Sequence, residues 1–189
     1  MSVSQDPLKS PCVKLTYDEY VLFPDDGRRH EIIDGRHYMN PAPSPMHQYV
    51  SRHLQFQLYQ QLELSGLGQV INSPIDLQLS DWDVVQPDLV VVLNGNSIIT
   101  SRGIQGIPDL VVEILSPSTS EHDQQLKLRL YEQARIPEYW IVDPEDKVVF
   151  QYHLTENSVY ATPLCQMDRI QFQRQSVTAD VDLSTVWYR

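Results

Sequence analysis

The sequence predicts an α/β (α+β) fold in which β-strands are flanked by helices, and three stretches carry that expectation. Residues 44–68, "SPMHQYVSRHLQFQLYQQLELSGLG", place Met46, Val50, Leu54, Leu58 and Leu62 at four-residue intervals, the stripe of a long amphipathic helix. "PDLVVVL", residues 87–93, is apolar on both faces, as a central buried strand is. "PDLVVEILSPST", residues 108–119, reads as a second buried strand running into a helix start, with Leu126, Leu130 and Ala134 repeating every four residues beyond it.

The other elements follow in chain order. Thr16 opens "TYDE" with Glu19 three residues on, a capping box for a short helix that runs to Phe23 and stops before Pro24. "HEIIDGRHYMN", residues 30–40, sets Asp34–Gly35 between two short runs, the signal of a tight hairpin with Glu31 on its first strand. Ser44 is the N-cap and Pro45 the first residue of the long helix, which Gly66 or Gly68 ends. "QVIN" (69–72) and "IDLQL" (75–79) are strand-length runs, and "NGNSIITSRGIQGI" (94–107) is a polar, glycine-bearing connection. "SPSTSEH" (116–122) supplies N-cap candidates for a helix from about Ser120 to Arg135. "EYWIVD" and "KVVFQYHL" form a strand pair joined at "PED", and the tail from Val159 to Arg189 carries strand-like patches with Trp187 near its end. With no linker, low-complexity segment or structural repeat, residues 1–189 are expected to form a single domain.

Composition narrows the class. A chain of 189 residues with 41 % hydrophobic content can bury a sizeable core. The first fifteen residues hold no apolar run, and nothing approaches the ~18 apolar residues of a membrane span, so a soluble cytoplasmic protein with no membrane contact is expected. Cys12 and Cys165 lie far apart, which points to two reduced thiols rather than a zinc site or disulfide framework. A net charge of -11 repels polyanions and counts against broad coating of nucleic acid. Arg28, Arg29, Arg36, Arg52, Arg102 and the group Lys127, Arg129 and Arg135 are candidates for a local basic patch, although a solvated surface explains most of them.

Glu113 interrupts an apolar strand and needs a partner or a task, because burying a lone charge costs several kcal/mol. Neighbouring strands lie roughly 4.8 Å apart, so carboxylates near the ends of adjacent strands can share one metal ion. Asp88 and Glu113 meet that condition. Asp109 shares a strand face with Glu113 but lies about 13 Å away along the strand, too far for one ion. On the following helix Asp123, Lys127 and Tyr131 recur every four residues on one face, and Lys127 can reach the same pocket. Taken alone Asp123 and Lys127 read equally well as an ordinary ion pair, and location favours the pocket, because the helix begins directly after the strand that bears Glu113.

Two acids and a lysine suit phosphodiester hydrolysis, where a divalent ion polarises the phosphate and an ammonium offsets its added charge. Mg²⁺, or Mn²⁺ in its place, suits oxygen ligands, with the backbone carbonyl of Ile114 as one of them. His47 and His53, six residues apart, face different directions on a helix and make no metal pair. Ser116, Ser118, Thr119 and Ser120 are better explained as caps than as nucleophiles, and no phosphate-cradling glycine loop is present.

"RHEIIDG", "PSPMHQYV", "QPDLVVV", "PDLVVEILSPST" and "DQQLKLRLYEQARIPEYWIVDP", taken in that order, resemble the Uma-two family of restriction-endonuclease-like bacterial proteins, within the PD-(D/E)XK nuclease superfamily. The resemblance runs from about Thr16 to Asp146 and then fades. It implies a restriction-endonuclease-like mixed β-sheet flanked by helices, metal ligation by Asp88 and Glu113, and Glu31 as an additional acid. The superfamily lysine stands two residues beyond the second acid, where this chain has Leu115. The resemblance maps its role onto Lys127, and His47 matches a histidine of the family segment. At Ala134 or Arg135 the family usually has glycine. A DNA endonuclease is therefore expected, with a homodimer as the analogy to enzymes that cut both strands. Two other classes compete: a catalytically silent nuclease fold serving as a binding or regulatory module, and a ligand-binding domain with a structural Glu113–Lys127 ion pair.

Overall fold

The computed structural model describes residues 14–116 and 121–187. Helix α1 spans Tyr17–Tyr20, and the Glu19 carboxylate accepts from both the backbone N–H and the hydroxyl of Thr16, at 2.7 and 3.0 Å. It ends before Phe23 because Leu22 and Phe23 close tight turns onto Glu19 and Tyr20. Strands β1 (Arg29–Ile33) and β2 (Arg36–Asn40) form the expected hairpin. Its turn places Asp34 and Gly35 at φ of 52° and 70°, the paired positive values of a type I′ turn.

Helix α2 (Pro45–Leu58) starts where Ser44 Oγ accepts the His47 N–H at 3.2 Å. It does not continue as a plain α-helix to Gly66: Tyr59–Glu63 form a π-turn, and Gly66, at φ 66°, ends the run. Val50, Leu54, Leu58 and Leu62 are fully buried, whereas Met46, the first residue of the stripe, is exposed.

The remaining strands are β3 (Gly68–Asn72), β4 (Leu77–Ser80), β5 (Asp83–Val85), β6 (Leu89–Leu93), β7 (Ile99–Thr100), β8 (Gly103–Gln105) and β9 (Leu110–Ile114). After helix α3 (Glu121–Gln133) come β10 (Glu138–Asp143), β11 (Val148–His153), β12 (Leu164–Gln166), β13 (Arg169–Arg174) and β14 (Val177–Asp182), then a 3₁₀ turn, Leu183–Thr185. The connection 94–107 thus contains a small hairpin, β7–β8, held in place because β8 pairs parallel to β4. Most of the proposed cap segment of α3, residues 117–120, lies outside the described residues, and the helix itself ends two residues before Arg135.

Two six-stranded sheets form, ordered β12-β11-β10-β9-β6-β3 and β2-β1-β5-β4-β8-β7, with β13–β14 as a separate hairpin. Each sheet is mixed, with β9 and β10 parallel in the first and β4 and β8 parallel in the second. The first sheet is buried on both sides, so β6 shows no polar alternation. Leu89, Val91, Leu110, Val112 and Trp140 face α2 and the β13–β14 hairpin, and Trp187 packs into that same core. Val90, Val92, Val111, Tyr139 and Ile141 face the other way, toward α3 and the second sheet. Among the described residues no helix is long and apolar enough to cross a membrane.

Candidate active site

Antiparallel pairing of β6 with β9, in the register Leu89↔Val112, brings the start of one strand beside the end of the other. Asp88 immediately precedes β6, and Glu113 is the penultimate residue of β9. Side chains alternate along a strand. Two residues from Val90 and Val111 respectively, Asp88 and Glu113 share the side that faces α3 and the second sheet. Asp88 Oδ2 accepts the backbone N–H of Ile114 at 2.9 Å. Asp109 lies at the opposite end of the sheet, where its Oδ2 accepts the Leu93 N–H at 2.9 Å.

Glu31 enters from β1 and is 1 % exposed. Its Oε1 accepts the Gln86 N–H at 2.7 Å and a proton of Lys127 Nζ at 3.1 Å. From α3 the same Nζ donates to Glu113 Oε1 at 2.9 Å, and the Tyr131 hydroxyl donates to that oxygen at 2.6 Å. The four-residue spacing of Lys127 and Tyr131 therefore does place both over the acid-bearing strand. The Asp123 side chain lies outside the described residues.

Two further groups converge on Asp88. His47, 6 % exposed, brings Nε2 within 2.9 Å of Oδ2, and Arg29 brings Nη1 within 3.3 Å of Oδ1. In the sequence Arg29 reads as one candidate for a local basic patch, and in the fold it stands two residues before Glu31 on β1 and so shares its face. That i, i+2 relation is the signal that could have found it. His53 instead packs against Tyr49, and His30 stacks on His37 at 5.1 Å between ring centres.

These contacts set the charge states. Burial pushes the Glu113 carboxyl up to about 7, with Asp88 and Glu31 adding to the shift and Lys127 and Tyr131 opposing it. Burial also favours the neutral amine of Lys127, but Glu113 and Glu31 outweigh it and hold the ammonium charged. For Asp88 burial again acts upward, and His47, the Ile114 N–H and Arg29 together bring the carboxyl below its ordinary range.

A cleft of about 190 Å³ opens onto Asp88, Glu113, Lys127, His47 and Arg29. Among the described residues no three His, Cys, Asp or Glu side chains stand ready-arranged as a metal cage, and Lys127 instead bridges Glu31 and Glu113. The donor chemistry nonetheless fits a hard divalent cation: the buried Glu31 and Asp88 and the mostly buried Glu113 supply only oxygen ligands, and burial, with the charges of the other two adding to it, raises Glu113.

Mixed sheets with carboxylates at the ends of adjacent strands and a lysine above them define a restriction-endonuclease-like α+β fold. The model of the Uma2 family, described as "Putative restriction endonuclease", matches residues 17–183. The chain belongs to that family. The match passes Asp146, where the motif resemblance fades, and reaches β14. An "Uncharacterized protein slr1290" of Synechocystis sp. is 27 % identical over 178 residues, spanning 92 % of this chain and 93 % of its own. The crystal structure of a "putative nuclease belonging to DUF820" from Anabaena variabilis shares the fold at a TM-score of 0.75 and 17 % identity, covering 92 % of this chain and 97 % of that one.

Proposed function

We propose that this protein is a divalent-metal-dependent endonuclease that hydrolyses DNA phosphodiester bonds. The observation that carries the reading is the meeting of Asp88 and Glu113 on one side of adjacent strands, with Lys127 Nζ 2.9 Å from Glu113. Glu31, Asp88, Glu113 and the carbonyl of Ile114 would hold Mg²⁺ or Mn²⁺. When bound, such an ion polarises the phosphate and lowers the pKa of a coordinated water.

The protein's own groups divide the remaining work. In hydrolysis a water oxygen bonds to phosphorus while one P–O ester bond breaks; the proton of the attacking water passes to solvent, and the departing oxygen takes its proton from a second water. Lys127, held cationic by its two carboxylates, is no proton acceptor near neutral pH. Its ammonium donates to a phosphate oxygen and offsets the charge that builds there. Glu113 would serve as a ligand of the ion, its Oε1 oriented by the Lys127 ammonium and the Tyr131 hydroxyl. His47 and the Ile114 N–H fix the direction of the Asp88 carboxylate and are positioning groups.

Incubating supercoiled plasmid with the protein and Mg²⁺ or Mn²⁺, beside Asp88→Asn and Glu113→Gln, tests this assignment. Nicking or linearisation by the parent and its loss in both variants is expected. Cutting that survives both substitutions places the chemistry elsewhere, and a parent that binds DNA but never cuts it is a silent binding module. The expected homodimer is checked by light scattering.

A further inference from the structure

The outward crest of α2 departs from the usual pattern of a surface helix. Its buried stripe, Val50, Leu54, Leu58 and Leu62, faces the core, so the opposite side should be polar. The helix is held on both flanks. Gln55 Nε2 donates to Asn72 Oδ1 at 2.9 Å on the β3 side, and Gln57 and Gln61 donate to the carbonyls of Asp182 and Asp180 on the β14 side, at 3.1 and 2.6 Å. Between those flanks runs the row Arg52, Phe56, Tyr59 and Glu63, spaced three or four residues apart and so aligned along the helix. Phe56 is 57 % exposed and Tyr59 is exposed as well, and Leu64, 66 % exposed, and Leu67 continue the apolar surface past the π-turn. Single exposed apolar side chains are ordinary, but a contiguous group on one element marks an interaction surface.

The charges on the row identify the occupant. Arg52 stands four residues before Phe56, and Glu63 stands four residues after Tyr59. Arg52 Cζ lies 5.6 Å over the Tyr49 ring, and Glu63 Oε2 accepts the Val70 N–H at 3.0 Å; neither forms an ion pair among the described residues. A two-fold interface sets residue i against residue j and j against i. When two α2 helices lie antiparallel across an axis midway between Phe56 and Tyr59, each Arg52 meets the partner's Glu63 and each Phe56 meets the partner's Tyr59. The crest is therefore complementary to itself. Parallel pairing would set like charges together, and a nucleic acid would meet Glu63 on a chain of net charge -11.

We propose that a second copy of this chain docks on this crest, giving a two-fold dimer through antiparallel α2 helices, with Phe56 and Tyr59 at its centre and an Arg52–Glu63 pair at each end. His47 lies near the start of α2, at the end remote from Glu63, so the two acid clefts stand at opposite ends of the helix pair, roughly 30 Å apart along its axis at ~1.5 Å per residue. The interface is independent of the nuclease reading.

Sedimentation velocity over a concentration series of the full chain tests it. The parent, Phe56→Lys, Arg52→Glu and the double variant Arg52→Glu/Glu63→Arg are compared, each with a thermal melt to report folding. The parent should sediment as a dimer. Phe56→Lys removes a central aromatic and Arg52→Glu sets like charges opposite each other twice, so each should weaken association by about tenfold or more. The double variant restores opposite charges across the axis and should associate about tenfold tighter than Arg52→Glu alone. Glu63→Arg gives up the bond to Val70, so Phe56→Lys, at an exposed position, decides by itself if the double variant melts early. A parent that stays monomeric, Phe56→Lys associating like the parent, or a folded double variant no tighter than Arg52→Glu overturns the interface.

Discussion

Lys127 Nζ on α3 lies 2.9 Å from Glu113 Oε1 on β9, so the helix that follows the acid-bearing strand returns a cation to that acid. The same ammonium reaches Glu31 at 3.1 Å, and the Lys127 side chain is only 15 % exposed. Lys127→Met leaves two buried carboxylates without their cation. Removing one partner of a buried pair costs about 3–5 kcal/mol, which urea unfolding of the variant against the parent measures. A loss below about 1 kcal/mol, the range of solvated surface pairs, would contradict the buried geometry.

Glu113 has a defined pH signature. Its carboxyl sits at about 7 in the folded protein against an ordinary 4.5. Between those values the native state keeps a proton that the unfolded chain has released, so stability from this group falls as pH rises through the window. Asp88 runs the other way: its lowered carboxyl contributes stability above the ordinary range, which is lost as the solution becomes more acidic. Glu113→Gln should flatten the fall in unfolding free energy between about pH 5 and 7, followed by denaturant titrations at fixed pH values. An unchanged slope would mean that Glu113 titrates like an exposed carboxylate.

His47 holds Asp88 through Nε2 at 2.9 Å. Partners that orient a metal-binding carboxylate typically contribute 10–100-fold to metal affinity or activity. His47→Ala should accordingly weaken Mn²⁺ binding by roughly that factor, read by calorimetry, with a similar drop in plasmid cutting. Parental affinity in the variant would reduce His47 to a packing role.

Arg135 lies at φ 62° just past α3, where its N–H and that of Ile136 close the helix end onto Glu132 and Tyr131. The left-handed region costs an L-residue about 1–2 kcal/mol, and glycine occupies it freely. A glycine at this position would therefore have a backbone reason. Arg135→Gly should stabilise the protein by up to about 1 kcal/mol once its greater unfolded freedom is counted, seen as a raised melting temperature. A lowered one would show that the arginine side chain makes a compensating contact.

The elements that were legible in the sequence are those with strong local signals. Asp34–Gly35 specified a hairpin, the four-residue stripe specified α2, and the run of apolar residues in 89–93 specified a strand covered on both sides. β5 and the β7–β8 hairpin are two or three residues long. They are short hairpin strands, β5 against β4 and β7 against β8, and their further pairing, β5 with β1 and β8 with β4, is with strands that no short window contains. The π-turn at Tyr59–Glu63 likewise leaves the apolar spacing of α2 undisturbed up to Leu62. Within the site, Asp88 and Glu113 stood out as carboxylates next to apolar runs, and a one-residue offset in register would have separated them. Arg29 did not stand out. Beside Arg28 it looks like part of a surface charge pair, and only the partnership of β1 with Glu31's face turns it inward.

The central claim is that Asp88 and Glu113 hold one divalent ion. Anomalous diffraction from a crystal soaked in Mn²⁺ tests it most directly. The predicted result is a single strong peak bonded to carboxylate oxygens of both residues, at roughly the 2.0–2.1 Å typical of small octahedral ions, with Lys127 displaced from its bridging position. A soaked crystal with no peak between them, and Lys127 still bridging Glu31 and Glu113, would contradict it.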